Sequence, residues 1–266
     1  MSEAGSVYAV ILALLFAVAA GLVGSFALMK RMILAGDVIS HLALPGLGLA
    51  FLLKFNPMLG GAATLFLGTL LVWQLQKKTG LATEVAIGVV FAGSLAIGAA
   101  LTPEEDLVEA LFGKFQQLSL PAFMIGAGAV LLIIWFVFRF RDALILDLFS
   151  PELAAASGIK LDRLNLGFLL VFSLTVLVGL RFMGALLAGA LIMVPAATGR
   201  RLADSISHFL LASAIVSLLA VGLGFLLHGY LFPRLSLGPT IVIVSALLFA
   251  VSLFRSAGRL VHSLEE

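Results

Sequence analysis

Nine long apolar stretches divide this chain, and charged residues occur almost entirely between them. A helix needs about 20 predominantly apolar residues to cross the roughly 30 Å hydrocarbon core of a bilayer. Apolar residues form 62% of the 266 residues and charged residues form 11%, whereas soluble domains average about 45–50% and about 25%. A soluble domain could not bury so much apolar surface, so the sequence predicts an all-α, polytopic membrane helix bundle.

The predicted spans leave no linker between them, so residues 1–266 are expected to form a single transmembrane domain. The stretch at 184–199 is short, and it crosses the membrane only if the bilayer or the neighbouring helices adapt. The expected count is therefore eight or nine spans. The nine stretches are 7–29, 38–54, 57–76, 83–102, 121–139, 164–181, 184–199, 208–231 and 239–254.

Basic residues predict the orientation of these spans, because cytoplasmic loops of membrane proteins are enriched in Lys and Arg. With the N-terminus outside and the C-terminus in the cytoplasm, twelve of the 16 basic residues fall on the inner side. If 184–199 were not a span, the inner basic residues that follow it would lie on the outer side, which favours nine spans in a cell membrane. These residues are Arg200, Arg201, Arg255 and Arg259. The inner residues are Lys30, Arg31, Lys77, Lys78, Arg139, Arg141, Lys160, Arg163, Arg200, Arg201, Arg255 and Arg259, and the outer ones are Lys54, Lys114, Arg181 and Arg234. Because they are scattered, they do not indicate a nucleic-acid partner.

The longest predicted inner loop, 140–163, contains a short helix of its own. Ser150 is a favoured N-cap residue, Pro151 suits the first helical position, and Glu152 places an acid in the first turn. The helix continues through Leu153 and stops at Gly158. A helix of about seven residues is unstable alone, so it must dock on the protein's own spans or on a partner.

The stretch GDVISHLALPGLGLAF, residues 36–51, places two ionisable residues at the start of a span. Asp37 and His41 are four residues apart, which puts them on one face of a helix. Inserting an ionisable side chain into the bilayer costs about 2.5–3.5 kcal/mol, so such residues persist mainly where they face a cavity, a partner or a pathway. Their oxygen and nitrogen donors suit zinc, manganese or iron, although a simple hydrogen bond locking two helices is also compatible. Pro45 and Gly46 are expected to interrupt the helix there.

A second stretch, GALLAGALIMVPAATGRR at 184–201, is rich in small residues. Gly184 and Gly189 each have an alanine four residues away, and this small-xxx-small spacing allows close helix contact. Pro195 is expected to break the helix near its inner end. Tight packing in the bundle and lining of a pathway are both compatible with this pattern.

Several chemistries lack their motifs in this chain. It has no G-x-x-x-x-G-K-[ST] phosphate loop, so it is not expected to hydrolyse ATP itself. It also lacks H-E-x-x-H and G-x-S-x-G, which leaves an intramembrane hydrolase with little support. A transport protein driven by a separate ATPase, and a gradient-driven secondary transporter or channel, both remain open on these residues.

Four segments together resemble the permeases of ABC importers for zinc, manganese and iron. Residues 36–51 resemble the GD-x-x-SH-x-x-LPG signature of that family, and 185–203 are similar to its ALLIVPAATA segment. Residues 235–254 resemble its closing GPTIVL span, and LFSPELAAASGI at 148–159 is like its inner-loop segment. The matches follow in the family's order along almost the whole chain. A permease for haem, cobalamin or siderophores is a nearer alternative than a channel, but it lacks the acid–histidine pair.

The resemblance implies a type II-like importer permease that is not an enzyme and holds no cofactor of its own. It implies a homodimer in the lipid membrane, two copies of a separate ATPase that binds ATP, and an external protein that delivers a divalent metal ion, most readily zinc. Asp37 and His41 match signature positions and are expected to bind the ion transiently along its path. The short helix at 151–158, capped by Ser150, is expected to be the coupling helix that contacts the ATPase. The family often has Asp where this chain has Lys114, so the outer loop at 103–120 departs from the pattern.

Overall fold

The computed structural model describes residues 3–32, 35–101, 118–230 and 236–262, and every element in these ranges is helical. The all-α prediction is therefore confirmed for this part of the chain. In order, the elements are α1 (Glu3–Met29), α2 (Ala35–Ser40), a 3₁₀ turn (His41–Ala43), α3 (Leu44–Leu53), α4 (Pro57–Thr79), α5 (Thr83–Leu101), α6 (Leu120–Phe149), α7 (Pro151–Ala156), α8 (Leu161–Met183), α9 (Ala185–Leu202), α10 (Ile206–Tyr230) and α11 (Leu237–His262). The outer loop expected at 103–120 lies almost wholly outside the described residues.

Seven helices in the described ranges are long and apolar enough to cross a membrane, namely α1, α4, α5, α6, α8, α10 and α11. Each coincides with one of the predicted spans. The two remaining predicted spans are less regular. The stretch 38–54 is divided between three short elements, and 184–199 corresponds to α9, an 18-residue helix whose last turn contains Arg200 and Arg201.

Helix α6 extends beyond its predicted end at residue 139 and continues to Phe149. The first ten residues of the predicted loop 140–163 are therefore helical. The extension persists because it stays amphipathic: Leu144 is fully buried, whereas Asp142 is exposed. The rest of the predicted loop consists of α7, the short connections on either side of it and the first three residues of α8.

Helix α1 lies at the centre of the bundle. Within its apolar, membrane-spanning stretch α1 is 61% buried, whereas the corresponding stretch of α5 is 17% buried, which places α5 at the periphery. Phe16 and Phe26 of α1 are among the largest fully buried side chains, and the Phe26 ring meets the edge of Phe168 on α8. At Gly24, an added Cβ would collide with the backbone of Ile192, so α1 and α9 are in direct backbone contact.

Polar contacts gather the predicted inner residues at one end of the bundle, which we call the basic end. Each contact joins helices that are distant in the chain. They are Lys30–Asp147, Lys77–Asp162 and Arg141–Ser207. At the opposite end, Tyr8 of α1 stacks on Phe123 of α6 with ring centroids 5.1 Å apart. The grouping of inner basic residues at one end of the bundle agrees with the sequence pattern.

Candidate functional site

The segment that carries Asp37 and His41 is a broken helix. Helix α2 gives way to the 3₁₀ turn at His41, where the carbonyl oxygen accepts from the N–H of Leu44. In an α-helix the N–H of residue 45 would donate a hydrogen bond to the His41 carbonyl, but Pro45 has no N–H. The chain therefore forms the tighter 3₁₀ turn immediately before Pro45. The break is therefore one turn earlier than predicted. Pro45 and Gly46 themselves lie within the first turn of α3.

The two predicted metal-binding residues lie on consecutive elements of this segment. His41 is half-buried, and its ring centroid is 5.7 Å from that of Phe91 on α5. The backbone of Asp37 belongs to α2, but its side chain lies outside what the structure describes. Their pairing thus stays a prediction. Among the described residues, no group of three or more His, Cys, Asp or Glu side chains is arranged to hold a metal.

Glycines of α4 receive the start of α3. A Cβ on Gly46 would collide with the carbonyl oxygen of Gly60, and one on Gly60 would collide with that of Gly46. The two backbones are therefore in contact. Thr64, one turn further along α4, places its hydroxyl 3.3 Å from the carbonyl oxygen of Ala43. These contacts fix the broken segment against α4.

Two more glycines complete this packing. An added Cβ at Gly68 of α4 would meet the side chain of Leu42, and one at Gly98 of α5 would meet Leu44 Cβ at 2.6 Å. Neither glycine was predicted from the sequence to have a role. The spacing of Gly60, Thr64 and Gly68 is a small-xxx-small pattern, and it could have revealed the close approach.

The structure brings the two motif-bearing stretches together. A Cβ added at Gly36, the residue before Asp37, would lie 3.6 Å from Ile192 of α9 and 3.7 Å from Phe172 of α8. Helix α2 therefore packs against both helices. Gly189 of α9 is buried, as expected for close helix packing, one turn from Ile192.

Gly184 has a different place from the one predicted. It lies alone between α8 and α9 with φ +89°, a left-handed conformation that glycine adopts without strain, so it forms the turn rather than a helix face. The chain doubles back at this turn and brings α9 against α8. The contact is close, since an added Cβ on Gly179 would collide with Ala188. Any other residue at position 184 would be strained in this left-handed backbone conformation and would therefore disfavour the turn.

The prediction that Pro195 breaks the helix is wrong. Helix α9 continues through the buried Pro195 to Leu202. Proline removes one backbone hydrogen bond, but packing on neighbouring helices sustains membrane helices through such a gap. That packing is tight next to Pro195, since an added Cβ on Gly199 would meet the backbone of Ser213 on α10.

Helix α7 has the local structure that the sequence predicts. The Ser150 hydroxyl accepts from the N–H of Leu153 at 3.4 Å, and Pro151 occupies the first turn. Gly158 terminates the segment with φ +82°. Ala154 is fully buried and holds the helix on the bundle, while Leu153 is 55% exposed. Just before the helix, Phe149 is 72% exposed.

In the part of the chain that the structure describes, seven membrane-length helices, a broken segment packed against them and a short helix at the basic end define a multispan helical membrane protein. Comparison with known sequences gives the particular group: the model of the ABC 3 transport family matches residues 6–256, and the chain belongs to that family.

Named relatives cover nearly the whole chain. The chain is 32% identical over 250 residues to the manganese import system permease protein ScaB of Streptococcus gordonii, covering 92% of this chain and 89% of ScaB. It is 30% identical over 239 residues to the high-affinity zinc uptake system membrane protein ZnuB of Haemophilus influenzae, covering 87% and 90%. The structure of PsaBC from Streptococcus pneumoniae in complex with Fab matches with a TM-score of 0.79 and 26% identity, covering 97% of this chain and 94% of that chain.

Proposed function

We propose that this chain is the transmembrane permease subunit of an ATP-driven importer that moves a divalent transition metal ion, zinc or manganese, into the cytoplasm. The observation that carries the proposal is the family match over residues 6–256, together with relatives named for manganese import and zinc uptake. The chain itself is a transport subunit, and a separate ATPase hydrolyses the ATP.

We propose nine spans in the cell membrane, with the N-terminus outside and the C-terminus in the cytoplasm. The seven long helices supply seven of them, the broken segment at 35–53 supplies one, and α9 supplies the last. An 18-residue helix is about 27 Å long, which is close to the thickness of the hydrocarbon core. The turn at Gly184 supports α9 as a span, because α9 runs back along α8.

The ion path in this proposal passes Asp37 and His41. The tight turn at His41 and the backbone contact of Gly46 with Gly60 provide irregular backbone within the bundle, which is tolerated where it is packed by protein or lines water. Gly189 and Pro195 lie on the helix that packs against this segment. Binding is expected to be weak, since a transport site must release what it binds.

Helix α7 is proposed to be the coupling helix that contacts the ATPase. Its buried Ala154 fixes it to the bundle, while Phe149 and Leu153 present large apolar side chains outward at the basic end. Exposed apolar groups at the end of a helix bundle are typical of a protein interface. The complete importer would contain two copies of this chain, two ATPase subunits and an external metal-binding protein.

The test is transport by the reconstituted complex. The chain, the ATPase and the binding protein from the same gene cluster are placed in proteoliposomes, and radioactive zinc and manganese are measured inside the vesicles. We expect uptake that requires ATP and the binding protein and disappears with an ATPase variant unable to hydrolyse ATP. Uptake that follows an ion gradient without ATP would instead identify a secondary transporter.

A further inference from the structure

A cavity of about 400 Å³ opens between α6 and α8 at the basic end. It combines positive charge with apolar walls. The cations are Arg139 from α6, Lys160 just before α8 and Arg163 in the first turn of α8, and the walls include Phe136, Phe140 and Leu164. We call it the α6–α8 cavity.

The three cations of the α6–α8 cavity have no carboxylate partner among the described residues. The two nearest acids in the chain do not neutralise them: Asp162 forms its ion pair with Lys77, and Asp142 forms none within the described ranges. The guanidinium of Arg139 lies 5.4 Å from the Phe140 ring centroid, so the ring holds this charge beside the cavity. Such a cluster of uncompensated cations attracts an anion.

The position of the cavity along the helices indicates which kind of anion it would bind. Residues 120–138 of α6 and 164–180 of α8 contain no charged residue, and Arg139 and Arg163 stand at the ends of these runs. The cations therefore lie at the level of lipid headgroups. Leu132, which shares the α6 face of Phe136 and Arg139, and Trp135, whose ring meets Phe140, are exposed above them, so the apolar side of the cavity continues into a surface suited to acyl chains.

Gly167 of α8 shapes the apolar wall. An added Cβ there would lie 3.1 Å from the Phe136 ring, so the missing side chain lets that ring lie against α8. The Phe136 and Phe140 rings pack on one another with centroids 4.8 Å apart. The aromatic wall is thus fixed by contacts within the protein, and the cavity between the helices is preformed.

We propose that the α6–α8 cavity binds the phosphate of an anionic phospholipid of the cytoplasmic leaflet, with the acyl chains along α6. Arg139 and Arg163 suit a phosphate because the planar guanidinium offers paired N–H donors, and Lys160 adds a third charge. The inference rests on the orientation in the proposed function, which puts the basic end in the cytoplasm, where anionic lipids give the surface a negative potential.

The test compares lipid binding by the full chain purified in detergent. Phosphatidylglycerol and phosphatidylcholine with identical acyl chains are titrated, and bound lipid is counted by native mass spectrometry. The cavity variant R139Q/K160Q/R163Q is matched with K78Q/R200Q/R201Q, which removes equal charge from exposed positions at the same end. We expect phosphatidylglycerol binding to fall at least about tenfold in the cavity variant, since each cation near an anionic headgroup is worth about fivefold. The matched variant and phosphatidylcholine binding should stay near wild type.

Three outcomes would overturn the inference. An equal fall in both variants would mean general charge attraction, and competition by inorganic phosphate as effective as the lipid would mean a free-anion site. Unchanged lipid binding with loss of ATPase copurification would assign the cations to a protein partner. Should the triple variant fail to fold, Arg163→Gln alone carries the test, with an expected loss of about fivefold. None of these results depends on metal transport, so the proposed function can fail or stand separately.

Discussion

Lys30 Nζ lies 2.8 Å from Asp147 Oδ2, and this ion pair joins the end of α1 to the end of α6. The two side chains are only 12% and 18% exposed, and the ammonium also lies 5.6 Å from the Phe168 ring centroid. Asp147 stands three residues before Ser150, the N-cap of α7. The pair therefore connects the central helix of the bundle to the segment proposed to contact the ATPase.

The first prediction concerns this ion pair. Lys30→Met leaves Asp147 charged, largely buried and unpaired, so we expect a loss of about 3 kcal/mol in the free energy of unfolding, the low end for a broken buried pair because Asp147 is 18% exposed. We also expect the ATPase to respond less to the loaded binding protein, because α7 loses its connection to α1. Thermal unfolding of the purified chain and stimulated ATPase activity of the complex measure the two effects.

Two further variants separate charge from packing in this prediction. Asp162→Asn breaks the Lys77–Asp162 pair, whose side chains are 53% and 64% exposed, and should cost less than about 1 kcal/mol. The double variant Lys30→Met, Asp147→Leu removes both charges and should recover most of the stability. If the double variant is as unstable as the single one, an unpaired charge is not the cause.

The second prediction concerns the contact between α3 and α4. Gly46→Ala would push a methyl group into the Gly60 carbonyl, which is backbone and cannot rotate away, so we expect a loss of about 1–3 kcal/mol. Gly88→Ala on α5 is the matched control, because an added Cβ there has no neighbour within 4 Å. Thermal unfolding in detergent compares the two. Equal stability of both variants would refute a tight contact at Gly46.

Local signals in the sequence predicted most of the helices. Runs of apolar residues located the seven long spans, and Ser150, Pro151 and Gly158 located α7 because capping depends only on neighbouring residues. The break in the second span was expected at Pro45, but it lies at His41 because proline acts on the carbonyl four residues earlier.

Local sequence signals could not predict the contacts between segments that are distant in the chain. Lys30 and Asp147 are 117 residues apart, so nothing in either neighbourhood indicates the pair. Pro195 looked like a helix end, yet packing against other helices carries α9 through it. Gly184 looked like part of a packing face, and only the reversal between α8 and α9 gives it its role in the turn.

The third prediction concerns the proposed ion path. Asp37→Asn with His41→Ala removes both donors, and we expect metal uptake to fall roughly tenfold or more, as is typical when groups around a metal are altered. Assembly with the ATPase should persist, because neither change adds bulk. The matched control is Glu84→Gln with His208→Ala, which alters exposed residues of the same types on α5 and α10. Vesicle uptake and copurification are the measurements, and undiminished uptake would remove these two residues from the path.

The last prediction concerns the exposed face of α7. Leu153→Asp puts a charge where we propose an apolar contact with the ATPase, and Glu152→Arg reverses the charge beside it. Both residues are exposed, so the chain should fold normally while copurification of the ATPase or its stimulation by the loaded binding protein falls. Leu81→Asp is the control, because Leu81 is 40% exposed in the turn between α4 and α5 and lies outside α7. Normal stimulation in the α7 variants, or an equal loss in the Leu81 variant, would show that contact with the ATPase does not depend specifically on α7.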